Sequence, residues 1–107
     1  MTGASAHRLV ADDEMQPGEA RRFEVEGTAI CLVRCATGYR AVGDTCSHEN
    51  YSLSEGTVDP DACEVECWKH GSIFSLDSGE ALTLPATRPV PVYVVTVEDG
   101  DVVVHLP

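Results

Sequence analysis

Apolar residues in this chain recur at every second position over short stretches, and no window of a dozen residues keeps a 3.6-residue apolar period. That pattern predicts strands and no long helix. Runs rich in β-branched and aromatic residues lie at Arg21 to Val25, Ala29 to Cys35, Tyr39 to Val42, Ser72 to Leu76 and Val92 to Val97. All of these read as strands. Turn formers separate them: Pro17-Gly18, Glu26-Gly27, Thr37-Gly38, Asp59-Pro60-Asp61, Asp77-Ser78-Gly79 and Asp99-Gly100. The last is the strongest local signal, because an Asp-Gly pair accepts positive φ at both central positions of a two-residue hairpin. Tyr93, Val95 and Val97 then share one face of a strand, and Val102 and Val104 return along its partner. The first five residues are small and polar and are expected to fray. The pattern predicts one all-β domain over residues 1–107, an antiparallel sandwich or small barrel. Residues 45–89 depart from it. They are rich in Cys, His, Gly and Ser with shorter strands, and they read as a loop-built subdomain inserted in the β scaffold.

Composition narrows the function. Eighteen acidic against seven basic residues give a formal charge of −11 over 107 residues. Nucleic acid is excluded as a partner, because phosphate neutralisation needs Lys and Arg in excess. No apolar run approaches the ~20 residues that span a bilayer, and no export signal is read, so a cytoplasmic protein without a membrane role is expected. Five cysteines are an odd number, and a reducing compartment disfavours disulfides, so metal ligation or burial is the expected fate of these thiols.

Spacing separates those fates. Cys46-Ser47-His48 and Cys67-Trp68-Lys69-His70 form C-x-H and C-x-x-H halves, each beside turn formers: Gly43 and Asp44 before the first, Gly71 after the second. Two such loops brought together place two thiolates and two imidazoles around one site. Zinc takes Cys₂His₂, yet its knuckles usually pair like with like. A mixed Cys/His pair in each loop suits a Rieske [2Fe–2S] centre, where two His replace two Cys on one iron.

From Cys46-Ser47-His48 through Cys67-Trp68-Lys69-His70-Gly71-Ser72-Ile73-Phe74, Asp77-Ser78-Gly79 and Leu84-Pro85-Ala86, the chain resembles the Rieske-type ferredoxins that serve non-haem iron oxygenases. The resemblance runs over roughly residues 7 to 105. It implies an antiparallel β scaffold with a small cluster-binding subdomain, Cys46 and Cys67 on the inner iron, His48 and His70 on the outer iron, and Pro85 on a third loop covering the cluster. It also implies a one-electron carrier between a flavin-containing NAD(P)H-dependent reductase and a terminal oxygenase; the acidic charge adds the expectation of transient contacts to basic-surfaced partners, and a monomer is expected. High-potential relatives join their ligand loops by a disulfide. The matching positions here are Tyr51 and Lys69, and Phe74 stands where those relatives place a Tyr hydroxyl near a cluster Cys. Ser72 matches their Ser that bonds a bridging sulfide. With fewer donors to sulfur, a low-potential centre is expected.

The other candidates read as structural. Cys31 and Cys35 are expected to be buried small hydrophobes, Cys63 a thiol near the site, His7 and His105 surface residues, and Arg21-Arg22 a solvated strand edge. Trp68 lies between two ligands and is expected to stay partly exposed. No dinucleotide or phosphate-loop motif is present, so the chain itself binds no NADH and has no catalytic residues of its own. A role in iron–sulfur assembly or redox sensing is the alternative to electron supply.

Overall fold

The computed structural model describes residues 5–47, 50–69 and 71–106. Among the described residues nine strands run in the order β1 (Ser5–Ala11), β2 (Ala20–Val25), β3 (Thr28–Cys35), β4 (Gly38–Gly43), β5 (Thr57–Asp59), β6 (Glu64–Glu66), β7 (Ile73–Ser75), β8 (Val92–Glu98) and β9 (Asp101–Leu106). A single 3₁₀ turn, Leu53–Glu55, is the only helical element among the described residues. None of their helices is long and apolar enough to cross a membrane.

Six strands form one antiparallel sheet in the order β1-β9-β8-β4-β3-β2, and β5-β6-β7 form a second. The small sheet lies in sequence between β4 and β8. The Asp99-Gly100 hairpin forms as the sequence predicts, and the turn at Glu26-Gly27 is a hairpin too. Asp99 and Gly100 adopt φ of 53° and 80°, closing Glu98 onto Asp101. Glu26 and Gly27, at 51° and 78°, close Val25 onto Thr28. Val95 opposes Val104 and Val97 opposes Val102.

Strand β3 explains why the scaffold and the small sheet belong together. Its residues alternate between two apolar cores, as successive strand residues must. Ile30 and Leu32 pack with Val10, Met15, Tyr39, Ala41, Val102 and Val104 inside the curled six-stranded sheet. Cys31, Val33 and Cys35 point the other way, to Leu53, Val65, Phe74, Leu76 and Val90 under the small sheet. The edges of the large sheet approach each other: on β1, Ser5 donates to Glu26 at 2.8 Å, and His7 meets the same carboxylate at 2.6 Å. Both contacts hold the Glu26 carboxyl below its usual range, the Ser5 hydroxyl foremost.

Three strands lay outside the sequence reading. β1 begins at Ser5, where fraying was expected, and β5 and β6 have three residues each. β1 pairs along nearly its whole length with β9, so tertiary pairing orders a segment of weak strand character. Arg22 is also more than a solvated edge residue, since its guanidinium lies 3.3 Å from the buried carboxylate of Asp44.

A larger correction concerns the cysteines. Cys35, at the end of β3, and Cys63, before β6, form a disulfide with Cα atoms 5.4 Å apart. The compartment argument for reduced thiols fails against geometry: the two cysteines face each other in the shared core, 28 residues apart in sequence. The bridge staples the small sheet to the scaffold. Cys31 is buried as expected, and burial, reinforced by the charge of Asp44, pushes its thiol well above the ordinary range, so it stays protonated.

Chain-entropy arguments put the value of a loop of this length at about 3–4 kcal/mol. Cys35→Ser or Cys63→Ser should therefore lower unfolding stability by up to that amount, and adding reductant to the wild type should reproduce the loss. Urea titrations with and without reductant check both. Equal stability in the two conditions would show that the staple contributes nothing.

Candidate functional site

The two sequence halves occupy two loops built alike. In the first, Thr45 bridges Ser52, and the Cys46 N–H donates to the Tyr51 carbonyl at 2.8 Å. In the second, Glu66 pairs with Ile73, and the Cys67 N–H donates to the Ser72 carbonyl at 2.7 Å. In both, the bond runs from the cysteine to the carbonyl five residues on. The second loop also carries Gly71 at φ 76°, whose N–H returns to the Cys67 carbonyl at 3.0 Å. A side chain is strained at that φ, which explains the glycine directly after His70.

Cys46 and Cys67 are buried thiols, 4% and 0% exposed, in the same apolar core and outside the Cys35–Cys63 disulfide. His48 and His70 lie outside the described residues. The described half of the donor set fits a cluster held between two loops. The two thiols enter one core from matching loops, whereas Cys31 is locked as a neutral thiol and Cys35 and Cys63 are spent on each other.

A third loop, after β7, ties the two together. The Ser47 hydroxyl donates to the Arg88 carbonyl. The Ala86 N–H donates 3.0 Å to the fully buried Ser72 hydroxyl oxygen. Thr83 Oγ1 accepts from the Ile73 N–H at 2.9 Å. Pro85 thus sits on a segment bonded to both ligand loops. Leu84 beside it is 76% exposed and Trp68, next to Cys67, is 49% exposed, so both loops present an apolar side chain to solvent.

Sequence reasoning gave Asp44 only a turn role, and the structure gives it a larger one. Its carboxylate is 2% exposed and accepts from the Ser54 N–H at 2.9 Å and from the Ser52 hydroxyl, with Arg22 alongside. Its backbone N–H donates to Ala29 on β3, and its carbonyl accepts from Leu53. The start of the first ligand loop is therefore fixed to β2, β3 and the 3₁₀ turn through one residue. An Asp two residues ahead of a ligand cysteine was the available signal.

The outer face of the small sheet is acidic. Asp59 opposes Glu64, and Glu66 opposes Thr57. Glu66 reaches the second ligand loop, where a Cβ on Gly71 would lie 3.2 Å from its carboxylate.

The chain is similar to known proteins over most of its length. The Rieske [2Fe-2S] domain matches residues 5–94. The 3-phenylpropionate/cinnamic acid dioxygenase ferredoxin subunit of Escherichia coli (strain K12) is 43% identical over 94 residues, covering 88% of this chain and 87% of its own. The ferredoxin of carbazole 1,9a-dioxygenase from Nocardioides aromaticivorans IC177 superposes with a TM-score of 0.89 at 29% identity, covering 94% of this chain and 96% of that one. A chain in the complex of reduced oxygenase and oxidised ferredoxin in carbazole 1,9a-dioxygenase superposes at 0.85 with 37% identity, over 92% of this chain and 99% of its own.

Asp44→Ala removes a buried acceptor from two donors and an ion-pair partner from Arg22. It should cost about 2–4 kcal/mol, and Asp44→Asn, which keeps one carbonyl oxygen, should cost less. Denaturant unfolding of both variants tests this; equal costs would show that the charge and second oxygen are idle.

Proposed function

The chain belongs to the Rieske [2Fe–2S] family, and from that premise we propose that it is a one-electron carrier, loaded by a flavin-containing NAD(P)H-dependent reductase and discharged at a terminal non-haem iron oxygenase. It carries a Rieske-type [2Fe–2S] cluster and is an electron-transfer component rather than a catalyst. One observation carries the reading: the likeness extends over nearly the whole of chains that are themselves ferredoxin subunits or ferredoxins. Delivery to an oxygenase draws on the solved complex of a similar ferredoxin with its oxygenase.

In this reading residues 45–89 are the cluster-binding subdomain. Cys46 and Cys67 bind the inner iron as thiolates, and His48 and His70 bind the outer iron. The bound cluster supplies a reversible one-electron site. The chain supplies the rest. The buried core excludes water from the thiolates, the paired backbone bonds fix the two cysteines, and the third loop closes over the site. The Ser72 hydroxyl, already accepting from Ala86, keeps its own proton free for a sulfur acceptor. The exposed Trp68 and Leu84 side chains give a partner access to these loops. The formal charge of −11 favours basic partners during encounter.

Purified protein should contain about two iron and two sulfide per chain. Cys46→Ala, His48→Ala, Cys67→Ala and His70→Ala should each abolish the Rieske absorption and EPR signals, while Cys31→Ser and Cys63→Ser keep them. Loss of the signals in Cys63→Ser together with their retention in Cys46→Ser would refute the ligand assignment.

If the acidic surface steers the reductase, the second-order rate constant for reduction should fall as salt rises from ~0.01 to ~0.5 M, because the Debye length shrinks from ~30 to below 10 Å. Stopped-flow reduction across that range gives the answer. A flat or rising rate constant would mean that docking is apolar.

A further inference from the structure

The two ligand loops are each closed by their own backbone bonds, and the bonds described above that leave them run to the third loop or the scaffold. Directly between the loops stands a three-residue contact. The Tyr51 and Trp68 rings meet edge to face, with centroids 5.1 Å apart and planes at 82°. The Lys69 ammonium lies 5.7 Å from both ring centroids. Lys69 is the only lysine in the chain. Tyr51 is also the residue whose carbonyl closes the first loop on Cys46, and Trp68 and Lys69 directly follow Cys67. Each partner is thus mechanically coupled to a ligand cysteine.

We propose that Tyr51, Trp68 and Lys69 form a non-covalent clasp that holds the two ligand loops together and retards release of the cluster. This rests on the Rieske reading of the site. The resemblance described above implies that Tyr51 and Lys69 stand where high-potential relatives carry a covalent loop-to-loop bridge. The geometry suits the role. An edge-to-face aromatic pair puts the positive rim of one ring against the negative face of the other. A cation placed over both faces adds to each. These residues are positioning residues. Two alternatives make different claims: that Trp68 merely screens the cluster from water, or that the rings are local packing. Neither requires Trp68 and Tyr51 to act as a unit.

The test is the rate at which the Rieske absorption bleaches when holoprotein is mixed with an excess of an iron chelator. Tyr51→Leu and Trp68→Leu, which keep bulk but lose the ring, should each bleach about three- to tenfold faster than wild type. The double variant should bleach no faster than the faster single. Lys69→Met, which keeps the stem and loses the charge, should bleach about two- to fivefold faster. Tyr51→Phe and Trp68→Phe keep a ring at each position and should restore the wild-type rate. Val94→Ala, exposed on β8 and outside the ligand loops, should leave it unchanged.

Several results would overturn the clasp. They are single-variant effects that multiply in the double variant, an effect of Trp68→Leu without one of Tyr51→Leu, or Phe variants that behave like the Leu ones. If a Leu variant fails to load, the Phe and Met variants decide, because wild-type bleaching in Lys69→Met together with fast bleaching in Tyr51→Phe contradicts the proposal. Wild-type protein that loads no cluster would instead overturn the Rieske reading, so the two failures are distinct.

Discussion

The structure depends on one strand having no solvent face. β3 sends Ile30 and Leu32 into the interior of the large sheet and Cys31, Val33 and Cys35 into the core beneath the small one. A strand of period two can serve two cores only if both of its residue sets are apolar, and the run Ile30-Cys31-Leu32-Val33 meets that demand. β4 shares the task, with Tyr39 and Ala41 on one side and Val42 on the other. A chain of 107 residues has little core to spend, and this shared wall lets a small loop-rich unit borrow rigidity from the scaffold.

The ligand loops inherit that rigidity. Asp44 leaves the end of β4 and is pinned to Ala29 of β3, so the first loop starts from a fixed point. The second leaves β6 and returns on β7, whose Phe74 is fully buried in the shared core. The Cys35–Cys63 bridge adds a covalent tie between the same two layers. Asp44 and Phe74 thus tie the two loops to β3 and to the core that it floors.

Much of this was legible in the sequence where local chemistry dictates the outcome. Asp99-Gly100 accepts positive φ at both positions of a two-residue hairpin, and Glu26-Gly27 was legible as a turn. The runs of Val, Ile and aromatic residues marked β2, β3, β4, β7 and β8 for the same local reason. The motif halves were legible too, as spacings that metal ligation demands. What stayed hidden depends on pairing at a distance. Glu64-Val65-Glu66 has no strand signal of its own; it is a strand because β5 and β7 flank it. Ser5–Ala11 is ordered by β9, which lies nearly a hundred residues away. The Cys35–Cys63 bridge needs two residues that only the folded topology brings together. Arg22 and Asp44 are paired across elements that no local pattern connects. His48 and His70 lie outside the described residues.

The large sheet has a seam. β4 and β8 share only two residue pairs, Ala41 with Tyr93 and Val42 with Val92, whereas the hairpins on either side are paired along most of their length. The whole inserted unit is threaded between those two strands, so the seam closes a long excursion of chain with few hydrogen bonds. The two sides of this seam differ in sequence locality, although they share one apolar core. β2 to β7 forms from neighbouring residues and contains both ligand loops, and β1 with β8 and β9 completes the sheet from the two ends of the chain. Contacts of high sequence separation are the last to be rewarded during folding. Joining the chain's two ends across β1 and β9 is therefore the most distant closure the sheet makes, and Ile30 and Leu32 have their full core only once it is made.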